Sequence, residues 1–306
     1  MHIRTNKVLN VLLRPIVLMA EWVGAHNPTL LMKTRYYMRF HKKLNLKNPQ
    51  TLNEKILYLL LKTDTTEWTR LADKYAVRGY VEECGLEHTL TELYAHWTKD
   101  DDVDYNALPG SFVIKSVQGC GDVIIVRDKA TFDCAAASKS IQTMLHDRYG
   151  ALEGGVHYMR ITPGVIVEKL LPFEEGNSLI DYKIWCFNGK PFAILTCSDR
   201  IKGGVKLGSY DTDWNYHPEH LIASNEHPLR STPLPKPENF DEMLKMAETL
   251  SKPFPQVRVD LYNINGKIYF GEMTFTAYGG LMNYYSDEFQ RIAGDKIDIN
   301  YNTKRI

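Results

Sequence analysis

Apolar and polar positions follow a helical period along the first part of the chain and change to short β-rich runs from Ser111 onward. Residues 1–46 read as basic helical segments, broken by Asn48-Pro49. Thr51-Leu52-Asn53-Glu54 has the form of a capping box and opens an apolar helix running to Lys62. A second helix is expected over Glu67–Cys84, carrying Leu71, Tyr75, Val77 and Val81, with Gly85 as its stop. Strands follow at Ser111–Lys115, Val123–Arg127 and Val165–Glu168, with a helix over 131–149 among them. Ile180–Phe187 and Pro191–Cys197 flank Asn188-Gly189, a strong hairpin signal. Residues 203–238, rich in Pro, Gly, His and Asn, read as irregular. A helix over Asp241–Ser251 ends before Pro253 and Pro255, and Gln256–Asn263 with Lys267–Phe275 form a last hairpin. The segment from Asp287 is helical at first and then polar. Hairpins beside helices, without regular strand–helix–strand alternation, predict an α+β fold.

Composition narrows the function classes. A length of 306 residues suits two domains or two lobes. Lys+Arg and Asp+Glu are both 37, so no global basic field favours nucleic acid. The charge is uneven: residues 1–50 hold nine Lys and Arg against Glu21 alone, a net of +8. Five cysteines with no CxxC pair suit a reducing cytoplasm and argue against a zinc site or a disulfide framework. The apolar run Pro15–Ala20 is too short for a transmembrane helix, which needs about 20 apolar residues. Val8–Val23 can form an amphipathic helix, packed on the protein's own body or on a membrane or partner.

Two local patterns carry chemistry. Ser116-Val117-Gln118-Gly119-Cys120-Gly121-Asp122 joins two strands. A Rossmann loop or P-loop leads from a strand into a helix, so both are excluded. A β-loop-β flap remains, in which Gly119 and Gly121 let the backbone approach phosphates and Lys115 adds a point charge; the plain alternative is a glycine-turn hairpin. In the last hairpin, strand alternation puts Arg258 and Asp260 on one face, opposite Val257, Val259 and Leu261. Glu272 and Thr274 join them only if the turn has three residues, Ile264-Asn265-Gly266, or if a bulge has the same effect. The three-residue turn would place Arg258 opposite Glu272. Two carboxylates and a hydroxyl on one face suit Mg²⁺, and a neighbouring Arg can stabilise a transferring phosphoryl group. The plain reading is an exposed Arg–Glu cross-strand pair.

The order of these elements resembles the TupA-like ATP-grasp family, linked to teichuronopeptide and capsular polysaccharide synthesis. The resemblance rests on Leu44–Pro49, Leu52–Lys55, Ala72-Asp73-Lys74-Tyr75-Ala76-Val77-Arg78, Phe112–Lys115, Asp181-Tyr182-Lys183, Cys186–Lys190, Ser198-Asp199-Arg200, Val257–Tyr262 and Gly271–Phe275. It implies two α+β lobes gripping ATP. Lys74 and Lys115 would face phosphate, Glu168-Lys169-Leu170-Leu171 would form the adenine-reading hinge, and Glu175 would hold the ribose. Lys183 would also face phosphate. Arg258 would steady an acyl phosphate, with Arg200 as a further catalytic residue. Asp260, Glu272 and Thr274 would form the Mg²⁺ site. The implied divisions are a basic helical region over 1–62, a first lobe with the flap over 63–168, a second lobe with the hairpin over 169–290 and a tail over 291–306.

The implied activity is an ATP- and Mg²⁺-dependent carboxylate–amine ligase joining an amino acid or amine to a uronic acid of a glycan or its nucleotide-linked precursor. The rivals are a sugar kinase, a glycosyltransferase and a non-catalytic glycan-binding protein. A cytoplasmic setting fits, with the basic N-terminal region available to a membrane face or a pathway enzyme. Tyr284-Tyr285 reads as a sugar-stacking pair or as core, and His217-Pro218-Glu219-His220 as a site or as loop surface. An Asp260→Ala substitution is expected to abolish turnover with little loss of folding.

Overall fold

Helices come first in this computed structural model, which describes residues 7–99, 101, 103–147, 149–172, 179–201 and 204–306. Helices α1 (Lys7–His26) and α2 (Pro28–Phe40) are joined at Asn27, whose side chain accepts from the Leu30 N–H at 2.9 Å and caps α2. Helix α3 (Leu52–Lys62) opens with the expected capping box: Glu54 N–H donates to Thr51 Oγ1 at 3.3 Å and Thr51 N–H to Glu54 Oε2 at 3.2 Å.

The single helix expected over Glu67–Cys84 is two: α4 (Thr66–Ala72) and α5 (Val77–Glu83). The chain leaves the helix at Asp73, whose carboxylate accepts from the N–H groups of Tyr75 at 2.8 Å and Ala76 at 3.1 Å. Lys74 N–H turns instead to the Val117 carbonyl at 3.2 Å. A tertiary contact to the glycine loop thus overrides local periodicity, and it sets Lys74 in the break.

The first sheet contains β1 (Leu93–Thr98), β2 (Phe112–Ser116), β3 (Val123–Val126) and, after helices α6 (Cys134–His146) and α7 (Val156–Met159), β4 (Gly164–Glu168). Its order is β1-β4-β2-β3, antiparallel throughout. Strand β1 has no counterpart in the sequence reading. It is half-buried along most of its length and carries a bulge between Leu93 and Ala95, so it shows no clean alternation. Phe112, Ile114, Val165 and Val167 pack against Ile141, Met144 and Leu145 of α6. With a side-chain period of two, Lys115 and Glu168 turn to the opposite face.

The second sheet contains β5 (Asp181–Phe187), β6 (Lys190–Ile201), β7 (Gly204–Asp211) and, after α8 (Phe240–Ser251), β8 (Gln256–Ile264) and β9 (Lys267–Thr274). Its order is β7-β6-β5-β8-β9, again antiparallel. Strand β7 corrects the irregular reading of 203–238: two glycines depress its strand propensity, but pairing with β6 (Cys197 with Leu207, Leu195 with Ser209) recruits it as an edge. Helix α8 buries Phe240, Met243, Met246, Ala247 and Leu250. Helix α9 (Asp287–Lys296) packs on α3, and the Trp68 and Phe275 rings stack at 4.8 Å, tying α4 to the end of β9. Among the described residues, no helix is long and apolar enough to cross a membrane.

Candidate active site

The last hairpin turns through two residues. Ile264 pairs with Lys267, and Asn265 (φ 51°) and Gly266 (φ 77°) both take left-handed conformations, as a type I′ turn requires. The three-residue turn is therefore not used, and the bulge is. Leu261 pairs with Phe270 but Asp260 pairs with Glu272, leaving Gly271 as the extra residue. A Cβ at Gly271 would stand 2.8 Å from the Asp260 carbonyl oxygen, so glycine is what the bulge admits. The shift by one residue brings Glu272 and Thr274 to the face of Arg258 and Asp260. It also places Arg258 opposite Thr274, not opposite Glu272.

Strand β5 completes two rungs across three strands: Lys183–Asp260–Glu272 and Trp185–Arg258–Thr274. Arg258 grips Asp260 bidentately, Nε to Oδ1 at 2.6 Å and Nη2 to Oδ2 at 2.7 Å, and Nη2 also reaches Thr274 Oγ1 at 3.1 Å and Glu272 Oε1 at 3.4 Å. Thr274 Oγ1 donates to Glu272 Oε1 at 3.0 Å. Lys183 Nζ donates to Asp260 Oδ2 and lies 3.6 Å from Asp181. The Arg258 guanidinium stands 5.9 Å from the Trp185 ring centroid. Arg258 and Asp260 are buried, whereas the Glu272 side chain is 40% exposed.

Electrostatics separate the two carboxylates. Burial pushes the Asp260 carboxyl up, with Arg258 and Lys183 opposing it. Burial also works against an ionised Glu272, but Lys183, Lys74 and Arg258 together outweigh it and hold its carboxyl at about 2. Glu272 is the anionic oxygen that faces outward. Removing Asp260 would leave Arg258 buried without its bidentate partner, so the expectation that Asp260→Ala spares folding is withdrawn.

The glycine loop comes to the same place. Lys74 Nζ donates to the Gly119 carbonyl at 2.6 Å, and Gly119 N–H to Ser116 Oγ at 3.1 Å. A Cβ at Gly119 would collide with Ser116 Oγ and Asp122 Oδ2, and Gly121 has φ 81°. The Cys120 thiol, exposed at the loop tip, is pushed up by partial desolvation and then by the Glu272 carboxylate, while Lys74, Arg258 and Lys183 oppose. The loop of the first lobe thus lies within electrostatic reach of the hairpin of the second, and Cys120 is held as a thiol.

Lys115 is engaged by Glu168 at 2.8 Å, and Glu168 also takes Arg78 at 3.0 Å. Lys169 is paired with Glu92: its N–H bonds the Glu92 carbonyl at 2.9 Å and its Nζ lies 3.4 Å from the Glu92 carboxylate. Leu171 lies beyond β4 on the segment leading to the second sheet. Glu175 falls outside the described residues, as does the side chain of Arg200, whose backbone belongs to β6. Its neighbour Asp199 pairs with Lys206 at 3.1 Å and Arg230 at 3.2 Å. Lys183, Arg258, Asp260, Glu272 and Thr274 therefore converge, with Lys74 and the Gly119 carbonyl it holds beside them, whereas Gly121 lines a hollow toward α6; Lys115 with Glu168 forms a second charge group on the face of the first sheet opposite α6.

The sequence profile described as TupA-like ATPgrasp matches residues 54–298. The chain belongs to the TupA-like ATP-grasp family. Among solved structures, it is similar to a D-alanine–D-alanine ligase from Bacillus anthracis, with 17% identity and a TM-score of 0.42 over 70% of this chain and 60% of that one. It is similar to the Helicobacter pylori D-alanine–D-alanine ligase, with 14% identity and a TM-score of 0.40 over 81% and 69% of the two chains. An L-amino acid ligase from Bacillus licheniformis shares 12% identity and a TM-score of 0.42 over 81% of this chain and 52% of that one. The chain thus spans 60% of the first of these ligases. No curated protein matches the sequence.

Three contributors to these two charge groups escaped residue-by-residue reading. Asp181 and Trp185 share the face of Lys183 by strand alternation, and that period was available in Ile180–Phe187. Arg78 stood within a matching stretch, but its pairing with Glu168 depends on the fold. Tyr284 and Tyr285 are both buried, and Tyr285 accepts from Trp185 Nε1 at 2.7 Å, so the pair is core. His217, Glu219 and His220 present ligand atoms within 4.8 Å of one another. His217, however, is bonded by Glu219 at 2.8 Å and Asp211 at 3.2 Å, and these carboxylates raise its pKa against the effect of burial, which favours an imidazolium over a metal ligand. Two surface hollows lie away from the hairpin face, one beside Leu86, Met246 and Ile268 and one between the loop and α6 beside Gly121, Asp122 and Thr143.

Proposed function

We propose that this protein is an ATP- and Mg²⁺-dependent carboxylate–amine ligase of surface-polysaccharide synthesis, joining an amino acid or amine to a uronic acid through an acyl phosphate. The observation that carries the reading is the Lys183–Asp260–Glu272 rung, whose Glu272 carboxylate is held ionised by Lys183 and by Lys74, the lysine bonded to Gly119 of the glycine loop. Gly119 and Gly121 would let loop amides approach the phosphates, and Lys74, Lys115 and Lys183 would neutralise them. Lys169 and Leu171 would border the adenine, and Glu175 the ribose. Arg258 and Arg200 would steady the transferring phosphoryl group.

The donor set fits a hard cation: Asp260 and Glu272 supply carboxylates and Thr274 a hydroxyl, all on one face. When bound there, Mg²⁺ would neutralise phosphate charge and orient the γ-phosphoryl group. Arg258 and Lys183 now hold both Asp260 oxygens, so their release toward phosphate would free that carboxylate. The carboxylate substrate would attack the γ-phosphorus, expelling ADP. The amine would then attack the acyl carbon and expel inorganic phosphate. Cytoplasmic ATP would supply the reaction.

An anionic sugar substrate is supported by Tyr278, which follows the hairpin, is exposed and holds a left-handed conformation (φ 54°) unusual for a non-glycine residue. The Arg39 guanidinium lies 5.6 Å from its ring centroid, and His227 lies 6.2 Å from it. An aromatic face beside a cation suits a sugar carrying a carboxylate.

The test is release of ADP and phosphate from Mg-ATP with glucuronic or galacturonic acid and each amino acid. Equal release of both, only when acid and amine are present, is expected. ADP without free phosphate would show a kinase, and turnover of a sugar nucleotide without ATP a glycosyltransferase. Neither turnover nor a thermal shift with Mg-ATP would leave a non-catalytic glycan-binding protein.

A further inference from the structure

The first two helices present an apolar surface that the rest of the described chain does not cover. Of the fourteen large hydrophobic side chains exposed among the described residues, seven lie between Ile16 and Met38. Helix α1 packs through Gly24, where a Cβ would collide with the Ala151 carbonyl. At about 100° per residue, Leu18, Met19 and Trp22 lie on the side opposite Gly24, with Ile16 at its margin. They are 54%, 63%, 62% and 58% exposed. On α2, Leu30 and Tyr37 share an outward face at a spacing of seven residues and are 53% and 56% exposed.

Charge distinguishes this surface from an ordinary apolar patch. Glu21 is the one acid among residues 1–50, against nine Lys and Arg. Arg14, Lys33, Lys43 and Lys47 are exposed and make no ion pair among the described residues. The remaining 256 residues carry the compensating −8, so the positive field is confined to this region of the chain. A second copy of the chain would have to bring this cationic surface against itself, at a Coulomb cost. An anionic lipid headgroup layer complements both properties: it takes the apolar side chains at the acyl boundary and the cations at the phosphates. A tryptophan near the middle of the apolar stripe suits that interface.

We propose that α1 and α2 dock the protein on an anionic membrane surface, with α1 lying in the interface plane and Leu18, Met19 and Trp22 inserted. Docking does not depend on which acid or amine the enzyme uses.

The test is co-sedimentation of the full chain with vesicles of phosphatidylcholine alone and with vesicles containing roughly one-third phosphatidylglycerol. The chain should pellet with the anionic vesicles, release at high salt and remain in solution with the neutral ones. The double variant Met19→Glu, Trp22→Glu should bind at least roughly tenfold more weakly while keeping the wild-type melting temperature and Mg-ATP thermal shift. No pelleting with anionic vesicles overturns the proposal. Equal pelleting of the double variant, or of the neutral vesicles, overturns it too. So does a concentration-dependent dimer that the double variant breaks in the absence of vesicle binding.

Discussion

The β5–β6 and β8–β9 hairpins begin alike and end differently. Each turns on Asn-Gly with both residues left-handed, at φ 50° and 74° in one and 51° and 77° in the other. Each then bulges on its second strand. In β6 the extra residue is Phe192, whose ring lies 5.2 Å from Phe187 and 6.3 Å from Phe289, so the bulge serves packing. In β9 it is Gly271, which has no side chain to bury. Its effect is to change the phase of Glu272 and Thr274, turning a hairpin with polar groups on two faces into a single charged face. The same turn chemistry yields a core element or a candidate catalytic face, depending on what the bulge carries.

The charged hairpin is most sensitive at Asp260. Asp260→Ala leaves Arg258 buried without its bidentate partner, and a loss of about 3–5 kcal/mol is expected in urea unfolding, together with loss of turnover. A stable variant would mean that Arg258 escapes to solvent. Next comes Gly271→Val, which drives a side chain into the Asp260 carbonyl. It should cost about 1–3 kcal/mol and weaken Mg-ATP binding in calorimetry, since it disturbs the rung. A glycine change in the turn of the other hairpin, Gly189→Ala, forces a Cβ into a left-handed position 2.9 Å from Lys252 Cα. It should cost about 1–2 kcal/mol yet leave Mg-ATP affinity unchanged. Equal losses of affinity in these two glycine variants would erase the functional difference between the hairpins.

The smallest effect is a pH dependence. The Glu272 carboxyl is held at about 2 in the folded protein against an ordinary 4.5. A depressed carboxyl contributes stability that is fully present above pH 4.5 and is lost as pH falls toward 2. Melting temperatures of wild type and Glu272→Gln should therefore differ most above pH 4.5 and converge toward pH 2. A constant difference would show that Glu272 is not held ionised by its neighbours.

Local chemistry was legible where few residues decide it. The capping box at Thr51 and Glu54 formed as read, and so did the Asn188-Gly189 turn. Alternation alone put Arg258 with Asp260. What stayed hidden depends on groups distant in sequence. The break at Asp73–Ala76 exists because Lys74 bonds Val117, and β7 exists because β6 offers it an edge. The choice between a three-residue turn and a bulge was open in the sequence, because both bring Glu272 to one face with Asp260. Packing of Gly271 against Asp260 settles it. The depth of Asp260 was invisible too, since Lys183 reaches it from 77 residues away.

Glu272, the outward carboxylate of this face, is proposed to help hold Mg-ATP. Calorimetric titration of ATP into wild type and Glu272→Gln, each with and without Mg²⁺, tests it most directly. Mg²⁺ should tighten ATP binding to the wild type by at least roughly tenfold, and Glu272→Gln should lose that increment while binding metal-free ATP no worse. An equal Mg²⁺-dependent gain in both proteins would contradict the assignment.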